Sequence, residues 1–246
     1  MSSRAYLQAA AEGLARLEDT QLEVIDRAAE VITDAIAAGR KVFSSGASHS
    51  FMLTEELVYR TGGLMLINPI YPHGMNLSVR PVTLTSQLER TPGLGATLLE
   101  SSPAGEGDVL IIASTSGRNP VPIDMALAAQ DRGMTTIAVT SLAYSTGVPS
   151  RHASGQKLYE VCDLVIDNCA PLGDAAVKVP GFEQATGPLS TVLGCAVVNA
   201  VVAQVVANLV AREVVPPVFV SANMPGGDEH NQRLLADNRH RIFYLD

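Results

Sequence analysis

Apolar residues recur at helical spacing through Leu7, Leu14, Leu17, Leu22, Val24, Ile25, Ala28, Ile32 and Ile36, predicting one long or two broken helices over residues 4–38 that Gly39 ends. Residues 41–45 then read as a short buried strand. Gly46 opens a loop, and a second helical run over 51–60 stops at Gly62 and Gly63. The unit repeats further on. Residues 108–114 read as a strand, 115–121 as a Ser/Gly/Asn/Pro loop and 122–131 as a helix closed by Gly133. Residues 135–140 and 164–166 supply two more strands. Strands that alternate with helices at this spacing predict an α/β fold, a three-layer αβα sandwich around a central parallel sheet. The stretch 68–86, broken by Pro69, Pro72, Gly74 and Pro81, reads as an extended excursion. We read 1–246 as a single domain, with a helical extension over about 1–38 and a tail over about 212–246.

The apolar run 189–211 is long enough to cross a bilayer, but Asn199, Gln204 and Asn208 interrupt it. Each amide costs desolvation in lipid, so a buried helix is expected and no membrane partner. Its small residues Gly194, Cys195, Ala196, Ala200, Ala203 and Ala207 suit close helix contact. The balance of 25 acidic against 17 basic side chains gives a net charge of −8, which argues against a nucleic-acid partner. The chain is 47% hydrophobic, ample for a packed core. Cys162, Cys169 and Cys195 are an odd set at unpatterned spacing, expected to be neither disulfides nor a zinc site. With an N-terminus that lacks a signal-peptide core, they point to a cytoplasmic protein.

Two loops concentrate polar chemistry where strands end. One is Ser44, Ser45, Gly46, Ala47, Ser48, His49 and Ser50; the other is Ser114, Thr115, Ser116, Gly117, Arg118 and Asn119. Each brings hydroxyl donors, a glycine that admits a ligand close to the backbone, and the amides of a following helix N-terminus, which together suit a phosphate. The same residue types also cap helices and fill turns. Neither loop has the dinucleotide or Walker glycine pattern, so no nucleotide cofactor is expected, and no His/Cys/carboxylate spacing suggests a metal.

These two loops, with 136–141 and the run Glu183–Ser190 that enters the apolar helix, resemble the sugar isomerase (SIS) domain family over about residues 35–210. The resemblance implies the SIS fold and a small phosphosugar ligand, held by Ser48, Ser114 and Ser116, with Asn119 standing where Thr or Ser is usual. It also implies a homodimer or homotetramer whose pockets borrow side chains from a neighbour. The pair Glu55 and Glu56 looks like a phosphoheptose isomerase pair whose second Glu is a catalytic base, here two residues closer to the loop. The run around Glu183 is similar to amino-sugar-phosphate members such as N-acetylmuramic acid 6-phosphate etherase, and the tail with Asp228, Glu229, His230 and Asn231 to an unassigned SIS subgroup.

The expected chemistry is removal of the proton alpha to the carbonyl of an open-chain amino-sugar 6-phosphate, followed by beta-elimination. An aldose–ketose isomerase and a non-catalytic sugar-phosphate sensor are the alternatives. Expected catalytic groups are Glu183, favoured for an apolar setting beside Pro180 and Phe182, together with Glu56, Glu55 and His230. Ser45, Ser48, His49, Ser114, Thr115, Ser116 and Asn119 are expected to bind the ligand. With few cations to spare, neutral donors are expected to hold the anion, helped by Arg118.

Overall fold

The computed structural model describes residues 2–245. Helix α1 (Ser2–Ala37) leads into strand β1 (Val42–Gly46), helix α2 (Met52–Leu57) and strand β2 (Ile67–Pro69). Short helices α3 (Leu84–Leu88) and α4 (Leu94–Glu100) precede β3 (Val109–Ala113), α5 (Pro120–Asp131) and β4 (Thr135–Thr140). Helices α6 (Leu142–Thr146) and α7 (Leu158–Val161), strand β5 (Leu164–Asp167), a small antiparallel hairpin of β6 (Ala175–Val177) and β7 (Thr186–Pro188), and helices α8 (Ser190–Ala211) and α9 (Gly227–Asn238) complete the chain.

The five main strands pair in parallel in the order β2-β1-β3-β4-β5. Side chains alternate across this sheet, as the period of two in a strand requires. Val42, Val109, Ile111, Ile137, Val139 and Ile166 join one core with α1, α2 and α8. Phe43, Leu110, Ile112 and Ala138 join the other with α4, α5 and α7. Both faces are covered, which is why the strands read as continuous apolar runs.

Several local expectations change. The first helix is one unbroken element. The helix expected over 51–60 is shorter: a 3-10 turn occupies Ser48–Phe51, and α2 ends at Leu57 because Val58 is extended and Tyr59 takes φ +49°. The excursion 68–86 ends within α3 and contains, at its start, part of the edge strand β2, where only three residues pair with β1. The tail contains α9. The helix after the second loop starts at Pro120, since proline is well suited to a first turn that needs no N–H.

Helix α8 lies against α1 and α2 with Leu193, Val197, Val198, Val201, Val205 and Leu209 in the core. Its interrupting amides meet polar partners: Asn199 Nδ2 donates to Glu56 Oε1 at 2.8 Å, and Asn208 Nδ2 donates to Glu30 Oε2 at 3.1 Å. A Cβ on Gly194 would sit 2.7 Å from a Leu53 methyl, so close contact with α2 explains that small residue.

Candidate functional site

In an open parallel sheet, a crevice forms beyond the strand carboxyl ends where neighbouring strands send their chains in opposite directions. Here that point lies between β1 and β3, since the chain leaves β1 for β2 on one side and takes up β3 on the other. The two polar loops follow these strands. They flank an open cleft of about 280 Å³ lined by Ser48, His49, Ser50, Glu89, Ser114, Thr115, Ser116, Asn119, Tyr144 and Asp174, among others.

The second loop is held by its carbonyls. Thr115 O accepts from Ser141 N at 3.0 Å, Gly117 O from Leu158 N at 2.9 Å and Arg118 O from Arg151 N at 2.8 Å. Among the described residues, the amide N–H groups of 115–119 have no partner. A run of free amides with the carbonyls tied elsewhere is an anion-binding nest. Gly117 takes φ +56°, and a Cβ there would lie 3.0 Å from Ser145 Oγ. The hydroxyls of Ser48, Ser114, Thr115 and Ser116 likewise have no intramolecular partner among the described residues, and Asn119 makes no side-chain cap for α5. Capping therefore does not use up these groups. Ser48 adopts φ +55°, with its amide donating to Met75 O at 2.7 Å, a conformation that costs a non-glycine residue energy and is fixed here at the cleft wall.

The expectation about helix amides needs correction. Pro120 and Pro122 carry no N–H, and Val121 N donates to Glu89 O at 3.3 Å. The free amides belong to the loop ahead of α5.

Ser48, His49, Ser114, Thr115, Ser116 and Asn119 thus come together. Other residues singled out from the sequence lie elsewhere in the chain's own fold. Ser45 is buried below the cleft and donates to Ile70 O at 3.0 Å. Glu55 is exposed on α2, while Glu56 accepts from Asn199 and pairs with Arg60. Glu183 stands exposed in the β6–β7 loop beside a Phe182 that is itself 58% exposed, so the apolar wall expected around it is absent. His230 is half-buried on α9.

The carboxylate that does line the cleft beside Asn119 is Glu89, the residue that ends α3. Burial pushes its carboxyl above the ordinary value of 4.5, partly offset by the facing Asn119 side chain and by the positive charges of Arg90 and Arg151. Arg151 Nη1 donates to Asn119 Oδ1 at 3.0 Å. The loop that carries Arg151 is tied to α5 by His152, whose Nε2 lies 2.9 Å from Asp124 Oδ1, and Asp124 Oδ2 accepts from Gly93 N at 2.7 Å. One carboxylate thus joins the segments on either side of Glu89 and Arg151. The sequence signal for Glu89 was a polar turn, Glu89-Arg90-Thr91-Pro92-Gly93, with no motif. Asp174, also on the wall, accepts from Ser190 N and Ser190 Oγ, both at 2.7 Å, and so caps α8. Among the described residues, no three His, Cys, Asp or Glu side chains are grouped to hold a metal ion.

The switch-point crevice and its nest define an α/β protein with a cleft suited to an anion, the layout of the SIS fold, and the comparison with known families agrees: the SIS domain family model matches residues 5–141. The chain belongs to the SIS domain family. Within it, the chain is 45% identical over 242 residues to a UPF0309 protein of Shouchella clausii, covering 98% of both chains. Among solved structures, a phosphoheptose isomerase from Francisella tularensis aligns with a TM-score of 0.55 at 14% identity, over 82% of this chain and 95% of that one. The Vibrio vulnificus NanR protein complexed with ManNAc-6P aligns with a TM-score of 0.51 at 14% identity, over 97% of this chain and 69% of that one.

Proposed function

We propose that the protein is a phosphosugar lyase that dehydrates an N-acetylhexosamine 6-phosphate. The observation that carries the reading is the set of unpartnered amides at 115–119, with the free hydroxyls of Ser48, Thr115 and Ser116, around a cleft whose wall holds Glu89. The amides and hydroxyls hold the phosphate. The sugar extends toward Glu89. The Glu89 carboxylate takes the proton from the carbon alpha to the open-chain carbonyl, and the electron pair forms the carbon–carbon double bond as the beta hydroxyl departs. His49 gives that hydroxyl a proton, so it leaves as water. A carboxyl raised toward the operating pH is the stronger base for this step. The amino-sugar preference rests on the likeness of Glu183–Ser190 to amino-sugar-phosphate enzymes, and the reading gives the base role to Glu89 in place of Glu183, Glu55 or Glu56.

The protein is read as a cytoplasmic homo-oligomer. Its three cysteines are free thiols, and Leu7, Leu14 and Leu22 on α1 and Val192 and Val210 on α8 are exposed apolar groups suited to a second copy.

Incubation with N-acetylglucosamine 6-phosphate in deuterated water, followed by proton NMR and mass spectrometry, tests the activity. Loss of one water is expected. A ketose product instead would establish an isomerase, and binding without turnover a sensor. Ser116→Ala is expected to weaken phosphosugar binding about tenfold, since a hydrogen bond to a charged group is worth roughly 1.5–3 kcal/mol. Unchanged affinity in that variant, measured by calorimetry, would remove the phosphate-cradle assignment.

A further inference from the structure

Arg118 and Arg90 both stand near enough to Arg151 to repel its charge, next to the cleft residue Asn119, in a chain whose net charge is −8. Arg118 follows the nest glycine, and its carbonyl accepts from Arg151 N at 2.8 Å. Arg151 reaches back to Asn119 on the cleft wall, and Arg90 follows Glu89. Among the described residues, ion pairs are formed by Lys41, Arg60, His152 and Arg212, and by none of these three. Arg118 Nε is buried without any hydrogen-bond partner. A buried donor left unmatched calls for an acceptor that the protein itself does not supply. Partial desolvation, and then repulsion from Arg118 and Arg90, holds the Arg151 proton affinity below its usual value. Glu89 is the one carboxylate among the groups that act on Arg151, and a single negative charge leaves three guanidiniums with a net positive balance.

We propose that Arg90, Arg118 and Arg151 form a second oxyanion subsite at the rim of the cleft, separate from the amide and hydroxyl cradle. It takes a phosphate-like or carboxylate group, which accepts from Arg118 Nε and is shared among the guanidiniums. That group is either a second anionic substituent on the sugar phosphate in the cradle or a free inorganic oxyanion. The subsite does not depend on the lyase reading.

The test follows the Arg118 Nε–H resonance by NMR at constant ionic strength. If the anion is free, inorganic phosphate shifts this signal saturably, in wild type and in Ser116→Ala alike. If the anion is part of the ligand, fructose 1,6-bisphosphate binds about tenfold more tightly than fructose 6-phosphate, and Arg118→Met removes the difference. Arg90 is exposed, so Arg90→Met serves as a second variant that spares the core, and it is expected to weaken whichever response is seen about threefold. The proposal is overturned if Arg118 Nε ignores phosphate and the bisphosphate has no advantage. It is equally overturned if Ser116→Ala abolishes the Arg118 response, because the guanidiniums would then belong to the cradle. Either result leaves dehydration of the amino-sugar phosphate open to its own assay.

Discussion

Glu89→Gln is expected to lower kcat by about 10²–10⁴-fold, the usual contribution of a positioned general base, while leaving sugar-phosphate binding nearly unchanged. Gln keeps the shape of the side chain and a hydrogen-bonding partner for Asn119, but cannot accept the alpha proton. Turnover of N-acetylglucosamine 6-phosphate and calorimetric binding, measured side by side, separate the two effects. Normal turnover would eliminate Glu89 as the base; lost binding would mean that it holds the sugar. The wild-type rate should fall as pH drops through the Glu89 ionisation, and that limb should lie above the ordinary carboxyl value of 4.5 because burial raises it.

The same burial has a stability consequence of definite sign. In the window between 4.5 and its raised folded value, Glu89 holds more proton in the native protein than in the unfolded chain. Stability therefore falls as pH rises through that window, and ionised Glu89 leaves the fold less stable than a neutral side chain would. Glu89→Gln should accordingly raise the melting temperature at neutral pH and lose that advantage below the unfolded-state value. A catalytic carboxylate kept at some expense in stability is a common compromise.

Gly95→Ala is the substitution expected to damage the fold most. Gly95 lies on α4 where the helix crosses α5, and a Cβ there would be 2.0 Å from Val121 O and 2.9 Å from Met125 N. Both obstacles are backbone atoms, so no side chain can rotate away. The two helices must part. Overpacking of this kind costs about 3 kcal/mol or more, which for a chain of this size lowers Tm by roughly 6–12 °C. Separation of the helices also moves Val121, whose amide donates to Glu89 O, so activity should fall with stability. A thermal melt within a degree of wild type would show that α4 is not held this tightly.

Much of the molecule was legible before any coordinates. Val109–Ala113 is an apolar run and Thr135–Thr140 a run of β-branched residues around Ala138, and their burial on both faces favours that composition. The two Ser/Gly loops were legible because a strand end followed by glycine and hydroxyl residues is a local pattern. Strand β2 was not, since a three-residue edge strand carrying Asn68 and Pro69 has no periodicity to detect. Asn68 is instead identified by its long-range role, with its side chain donating to Arg241 O and accepting from Phe243 N. The helix amides were misjudged for a local reason: Pro120 and Pro122 mark a helix start well and at the same time remove its donors.

The choice among acidic residues was beyond the sequence. Glu55, Glu56 and Glu183 sit near recognisable motifs, yet the fold turns Glu56 toward Asn199 and leaves Glu183 in an exposed hairpin loop. Glu89 has no motif, and reaches the cleft because the segment after α3 packs against the start of α5. The approach of Arg90 and Arg151 was likewise beyond the sequence, since these residues are 61 positions apart in it and the side chain of Arg151 reaches Asn119 only through the fold. By itself, the sequence determined the layers, the two polar loops at the strand ends and the family, all of which follow from periodicity and short contiguous motifs. Tertiary structure alone decided which carboxylates line the cleft and which cations stand near it, because those contacts depend on strand order and helix packing that bring distant residues together.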